Sequence, residues 1–252
     1  MTGKQNTGYT WLFDLDNTLH DASHAIFPAI NANMNAYMAQ VLGSDGVPTD
    51  AATVNAVRVA YWRRYGATLL GMVKHHQVRQ EDFLHAAHQF DDLARMIRAE
   101  HGVVRMLGRL PGRKILLTNA PQRYSREVLR MLGLHRHFAK HIAIESMRVH
   151  GRLQPKPSKP LLRKLLARER IAAHRCILVE DTVATLKAAK SLGVRTAWIT
   201  RYLARPAGFP AGMAASEPGM LTKRPVYVDV KVKSIGGLSK SLRQLRGSRS
   251  PE

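Results

Sequence analysis

Four short stretches of this chain combine acidic, basic and hydroxyl side chains of the types that could act together on an anionic group. The first is Trp11-Leu12-Phe13-Asp14-Leu15-Asp16-Asn17-Thr18-Leu19, an apolar run that ends in two carboxylates one residue apart. On an extended chain Asp14 and Asp16 share a face. A calcium loop is excluded, because Leu19 stands where the sharp turn needs Gly and Ala25 where a bidentate Glu is needed. The other three stretches follow in order: Leu116-Leu117-Thr118-Asn119, then Lys156-Pro157, then Leu178-Val179-Glu180-Asp181-Thr182. A carboxylate that attacks a phosphate ester meets like charge, and at about 4 Å that repulsion is about 4 kcal/mol at an effective dielectric near 20. A cation is needed. Asp14, Asp181 and Glu180 offer hard oxygen ligands suited to Mg²⁺, while Lys156 and the Thr118 hydroxyl would meet the remaining phosphoryl oxygens.

Residues so far apart need a framework that brings them together. Apolar runs over 9–13, 114–117, 141–144, 176–179, 196–199 and 226–232 read as strands. Between them Tyr124, Val128, Leu129 and Leu132 lie at helical spacing, as do Leu161, Leu162, Leu165 and Leu166, and then Val183, Leu186 and Leu192. Runs apolar almost throughout suit strands covered on both faces, which predicts an α/β fold with a doubly wound, mostly parallel sheet. Ligands bind such sheets beyond the carboxyl ends of the strands, where Asp14, Thr118 and Asp181 would converge. The segment 27–102 breaks the alternation: Ile30, Met34, Tyr37, Met38 and Val41, then 54–65, 83–90 and 93–101, read as helices with no strand between them. The expected organisation is a core of residues 1–22 and 103–246, a small helical cap over 23–102 inserted after the first strand, and a short basic tail at 247–252. The Pro- and Gly-rich stretch 204–225 reads as an irregular loop.

Composition narrows the classes further. With 45% hydrophobic and 23% charged residues in 252, collagen, coiled coil and wholesale disorder are poor readings. The net charge of +21 is unevenly spread: residues 1–100 carry 8 basic and 10 acidic side chains, residues 101–200 carry 21 and 5. Such an excess suits an anionic substrate or nucleic acid, although helix faces such as Arg163, Lys164, Arg168 and Arg170 account for much of it as solvated surface. Cys176, the one cysteine, cannot form an intrachain disulfide and sits in an apolar run. No basic start with an apolar h-region and no run of about 18 apolar residues occurs, so the expected compartment is the cytoplasm. The signatures G-x-S-x-G, H-E-x-x-H, paired Cys and G-x-x-x-x-G-K-[ST] are absent.

In these four stretches and their order the chain resembles the haloacid dehalogenase superfamily of phosphohydrolases. The resemblance implies that Asp14 attacks phosphorus to form an aspartyl-phosphate, and that the Asp16 backbone carbonyl joins Asp14, Asp181 and Glu180 around Mg²⁺. The Asp16 side chain would protonate the leaving oxygen and then take a proton from water, which requires a pKa raised toward the working pH. A second Asp in the first stretch speaks against the carbon-attacking dehalogenase branch. Thr118, Asn119 and Lys156 would bind phosphate, with Lys159 as a less fitting alternative to Lys156. Many members carry another acid about four positions after the Asp of the last stretch, where this chain has Thr185.

Within the superfamily, 61–68 and 83–88 look like the pyrimidine 5′-nucleotidase branch. That likeness implies hydrolysis of UMP- or CMP-type nucleotides, with Asn17, Arg63, Arg64 and Tyr65 as base-reading candidates. His75, His76, His85 and His88 offer a second, weaker metal reading. Two alternatives accompany the nucleotidase: a sugar-phosphate phosphatase or phosphomutase of the same fold, and a nucleic-acid-binding protein on a degenerate phosphatase fold. Retention of Asp14, Asp16, Lys156 and Asp181 together weighs against the last.

Overall fold

The computed structural model describes residues 8–203 and 223–246. These gather into two compact units, one of residues 8–21, 98–203 and 223–246, the other of residues 22–97. The first contains the strands β1 (Thr10–Phe13), β2 (Arg113–Leu117), β3 (Lys140–Ile142), β4 (Arg148–Val149), β5 (Arg152–Leu153), β6 (Cys176–Glu180), β7 (Arg195–Ile199) and β8 (Val230–Val232). Six of them form one sheet in the order β3-β2-β1-β6-β7-β8, every neighbouring pair parallel. From β1 the chain winds outward through β2 and β3, then returns to the other side of β1 as β6. The strand order therefore reverses between β1 and β6, the place where open α/β sheets leave a crevice.

All four residues of β1 and all five of β6 are buried, which explains their unbroken apolar runs. On one face Leu12, Ile115, Leu178 and Trp198 share a core with Leu161, Leu162 and Leu165 of α8 (Lys159–Arg168) and with Leu186 of α9 (Val183–Lys190). Each such leucine contributes about 1.5–3 kcal/mol on removal from water. Trp11 and Phe13 point the opposite way, ring centroids 6.0 Å apart, and Phe138 meets Phe13 edge-on. Helix α8 starts where Ser158 Oγ accepts from Leu161 N at 3.1 Å with Pro160 in the first turn, a favourable start. The other helices of this unit are α6 (Val103–Arg109), α7 (Gln122–Met131) and α10 (Leu242–Arg246).

The second unit is helical: α1 (Ile26–Leu42), α2 (Ala51–Tyr65), α3 (Thr68–His75), α4 (Gln80–Ala87) and α5 (Leu93–Met96). Asp50 caps α2 by accepting from Ala52 N and Thr53 N, and Gly66 ends it in the left-handed region. Gly71 lets α3 cross α2 closely, since a Cβ there would fall 2.1 Å from Cγ of Tyr61. The buried Arg58 guanidinium donates to Asn35 Oδ1 at 2.7 Å and Asn31 Oδ1 at 3.0 Å, which ties α2 to α1.

Boundaries depart from periodicity in several places. The helix expected over 93–101 stops at Met96, because residue 97 turns extended and the Arg98 carbonyl accepts from Asp21 N. Gly102, at φ 77, then opens α6, which periodicity did not reveal. The last strand begins at Val230, not 226, since Val228 N closes a turn onto Pro225 O and Thr196 Oγ1 donates to Tyr227 O. The β4–β5 hairpin, also unforeseen, turns at His150 and Gly151, both with positive φ. The loop expected at 204–225 lies largely outside the described residues, as does the tail at 247–252. Among the described residues no helix is long and apolar enough to cross a membrane. Cys176 is buried and burial pushes its thiol up to about 12, so it packs as a small hydrophobe.

Candidate active site

Register delivers the central carboxylates. Phe13 pairs with Val179 and with Leu116, and Asp14 N continues the ladder by donating to Val179 O at 3.0 Å. Asp14 therefore leaves the end of β1 beside Glu180, the last residue of β6. Lys156 reaches between them, its Nζ donating to Asp14 Oδ1 at 2.6 Å and to Glu180 Oε2 at 2.7 Å. Asp14, Glu180 and Asp181 each place a carboxylate oxygen within 4.8 Å of the others, and all three are buried. Thr18 Oγ1 lies 3.4 Å from Asp14 Oδ2, and buried Thr118 directly follows β2, its Oγ1 accepting from Ala120 N at 3.1 Å.

Neighbouring groups lock the positions. Asn119 grips the backbone of Lys156 twice: Nδ2 donates to Lys156 O at 3.0 Å, and Lys156 N donates to Oδ1 at 2.9 Å. The Asn119 side chain is thereby a brace for the Lys156 loop, whereas sequence reading placed it among the phosphate-binding groups. Trp198 Nε1, on β7, donates to Asp181 O at 2.8 Å and fixes the backbone after β6. Glu180 Oε1 accepts from Thr182 N at 3.2 Å while Oε2 holds Lys156, so both of its oxygens are engaged.

The electrostatics are unbalanced. Among the described residues, three buried carboxylates share one ammonium. Burial, reinforced by the Glu180 charge and partly opposed by Lys156, pushes the Asp14 carboxyl up to about 8. Burial, then Glu180 and Asp14, drives Asp181 well above the usual carboxylate range. Burial works against the Lys156 ammonium, but Asp14 and Glu180 more than reverse that and keep it charged. A buried, all-oxygen set with surplus negative charge is the chemistry of a hard divalent cation, and Mg²⁺ fits it. Asp14 and Asp181 are the side chains best placed to hold such an ion, with Glu180 anchoring Lys156 beside them.

Asp16 sits one turn further on. Thr18 N and Leu19 N both bond back to Leu15 O, and Asn17 takes φ 58, a left-handed value that Asn tolerates well. The chain thus doubles back and places His20 against Asp16, with a bridge between their backbones. Tyr124 Oη donates to Asp16 Oδ1 at 2.7 Å, and His20 Nε2 lies 2.9 Å from the same oxygen. Burial and the Asp16 charge raise the Tyr124 phenol well above its ordinary value, so it stays a donor. Sequence reading missed both partners. Tyr124 counts as one more apolar-face residue of α7, and the only signal for His20 was its place four residues after Asp16.

The other candidates have the following surroundings. Lys159 is exposed at the start of α8 and makes no contact with the carboxylates among the described interactions, whereas Lys156 is buried against them. Asn17 is buried in the turn after Asp16. Arg63 and Arg64 are exposed in the last turn of α2 within the helical unit, and the Tyr65 hydroxyl bonds His75 Nε2 at 2.6 Å, with Arg64 and Lys74 over its ring. The four histidines engage local partners: His76 with Tyr61, His75 with Tyr65, His85 with Gln89, and His88 with Leu84 O. They do not form the metal-type cluster; among the described residues, that cluster is Asp14, Glu180 and Asp181.

Fold and site together define a class: doubly wound α/β proteins with a carboxylate cluster at the strand ends of a parallel sheet. The chain belongs to the haloacid dehalogenase-like hydrolase family, whose pattern matches residues 10–193. Solved structures share the fold. A haloacid dehalogenase-type phosphatase from Thermococcus onnurineus superposes with a TM-score of 0.58 at 16% identity, over 95% of this chain and 100% of that one. The L-2-haloacid dehalogenase from Xanthobacter autotrophicus, with chloropropionic acid covalently bound, gives 0.54 at 17% identity over 94% and 98%. A haloacid dehalogenase-like hydrolase from Streptococcus pneumoniae gives 0.53 at 13% identity over 94% and 99%.

Proposed function

We propose that this hydrolase is a Mg²⁺-dependent phosphomonoesterase that uses Asp14 as nucleophile. The observation that carries the reading is the Asp14–Lys156–Glu180 chain of buried contacts at 2.6 and 2.7 Å, with Asp181 alongside, at the strand-order reversal. The ion supplies charge neutralisation when bound. The rest belongs to the chain itself. Lys156 holds Asp14 in place and presents positive charge to a phosphoryl oxygen, and the Thr118 hydroxyl meets another. Asp14 forms a bond to phosphorus as the ester oxygen departs with a proton from Asp16. Asp16 then takes a proton from the water that attacks the aspartyl-phosphate and releases phosphate, restoring Asp14.

A second carboxylate, Asp16, whose charge acts on Asp14, supports phosphorus over carbon as the centre attacked, because an alkoxide leaving group needs a proton and a halide does not. For substrate we propose pyrimidine nucleoside 5′-monophosphates, from the resemblance of 61–68 and 83–88, with Asn17, Arg63, Arg64 and Tyr65 as base-reading residues. Phosphate release is measured from UMP, CMP, dUMP, dTMP, AMP, phosphoglycolate and hexose phosphates, with Mg²⁺ and with EDTA, on wild type and Asp14→Asn. Selective Mg²⁺-dependent turnover of pyrimidine monophosphates, lost in the variant, is the expected result. Turnover of sugar phosphates alone removes the substrate reading and keeps the mechanism. Wild-type rates in Asp14→Asn overturn the nucleophile, and no turnover with salt-dependent binding of DNA or RNA shifts the role to binding.

A further inference from the structure

We infer that Tyr124 and His20 form a two-donor clamp that fixes the Asp16 side chain in the orientation from which it transfers a proton. The inference rests on the proposed acid–base role of Asp16 and deepens it. Tyr124 comes from α7, more than a hundred residues away, and His20 from the turn that follows Asp16, yet both meet Oδ1, at 2.7 and 2.9 Å. His20 is fully buried and Tyr124 nearly so. Two donors from different elements on one oxygen leave the Asp16 side chain little freedom to rotate.

The donors impose a tautomer as well. Against an accepting Oδ1 His20 presents Nε2–H, and its Nδ1 is buried with no hydrogen-bond partner. An imidazole placed this way holds a carboxylate in one rotamer. Tyr124 and His20 are positioning residues: they act through Asp16 and fix the direction from which its proton reaches the leaving oxygen. A proton delivered along the wrong line matters for an alkoxide leaving group, which cannot depart as an anion, and matters little for a nitrophenolate, which can.

The test compares kcat/KM for p-nitrophenyl phosphate with kcat/KM for the alkyl phosphomonoester that wild type hydrolyses fastest, because kcat/KM reports the steps through leaving-group departure. Tyr124→Phe is expected to lower the alkyl value about 10- to 100-fold, a part of what general acid catalysis contributes, and to change the aryl value by less than about threefold. His20→Leu should show the same selective loss and His20→Gln, which keeps a donor near Nε2, should recover most of it. Tyr124→Phe added to Asp16→Asn should cost nothing further. Equal losses on both substrates, or losses that add in the double variant, overturn the clamp. A Tyr124→Phe protein that melts like wild type and keeps its alkyl rate overturns it too. Failure of the underlying reading looks different: Asp16→Asn itself would then lose both substrates equally or neither.

Discussion

Two clusters of charged side chains sit at opposite ends of the same parallel sheet and are built to opposite ratios. At the carboxyl ends, Asp14, Glu180 and Asp181 surround one ammonium, Lys156, whose side chain is 4% exposed. At the amino ends, one carboxylate, Glu169, faces Arg113 at the start of β2, Lys140 at the start of β3, and Arg168. Burial and mutual repulsion raise Asp14 and Asp181. Burial also works against Glu169, but hydrogen bonds from Lys140 and Arg113 outweigh it and hold the carboxyl below its usual range. Among the described residues the second cluster has the opposite excess, and its three cations, 29%, 35% and 51% exposed, are screened by solvent. The first carries an excess of negative charge that a cation and a phosphoryl group can meet, which is how the same sheet supports stability at one end and chemistry at the other.

The largest effect should come from removing the one cation of the first cluster. Lys156→Met leaves three buried carboxylates facing each other, and a loss of about 3 kcal/mol or more is expected in urea unfolding with EDTA, together with loss of phosphatase turnover. A melt close to wild type would break the comparison. A smaller effect should reverse sign with conditions. In EDTA, Asp181→Asn should be more stable than wild type by about 1–2 kcal/mol, because it removes like charge; with Mg²⁺ in excess wild type should overtake it, since an ion at 100 times its Kd adds about 2.7 kcal/mol.

The pH slope sharpens the same contrast. Asp14, about 8 in the folded protein against about 3.9 unfolded, binds its proton more tightly when folded. Stability of the metal-free protein should therefore fall as pH rises between those values, and Asp181 adds to the fall. Glu169 acts in the opposite direction. Its lowered pKa makes a contribution that is complete above the unfolded value near 4.3 and lost as pH falls through the folded one. The smallest expected effect is thus Glu169→Gln. It should lower stability by about 1 kcal/mol at neutral pH, as its partners Arg113 and Lys140 are 29% and 35% exposed and screened, with the difference fading below about pH 4. A difference that persists in acid would assign Glu169 to packing.

Much of this was legible before any coordinates. Strands buried on both faces write themselves as unbroken apolar runs, so 176–179 could be read directly, and the leucines of α8 repeat at helical spacing. Asp14 and Asp181 stood out because each closely follows such a run, and Lys156 because it stands in order between them and precedes Pro157, as the resemblance implies. Boundaries were less legible where a single backbone event decides them, as at Gly102 and at the His150-Gly151 turn. Asn119 and Glu180 were read as phosphate-binding and metal-binding residues, and the tertiary contacts add that Asn119 braces the Lys156 backbone while Glu180, within the carboxylate cluster, holds its ammonium.

What the amino-acid order determined alone is therefore the alternation of strand and helix, the helical insert, and the residue types that can attack, protonate and neutralise, since periodicity and composition are local properties of a chain. Tertiary structure alone decided who meets whom. Tyr124 reads as core by every local rule and becomes a donor to Asp16 only because α7 packs beside the end of β1. Hydrogen bonds between residues 108 apart leave no trace in spacing. Neither does the charge ratio of a pocket, which exists only when distant strands bring their ends together.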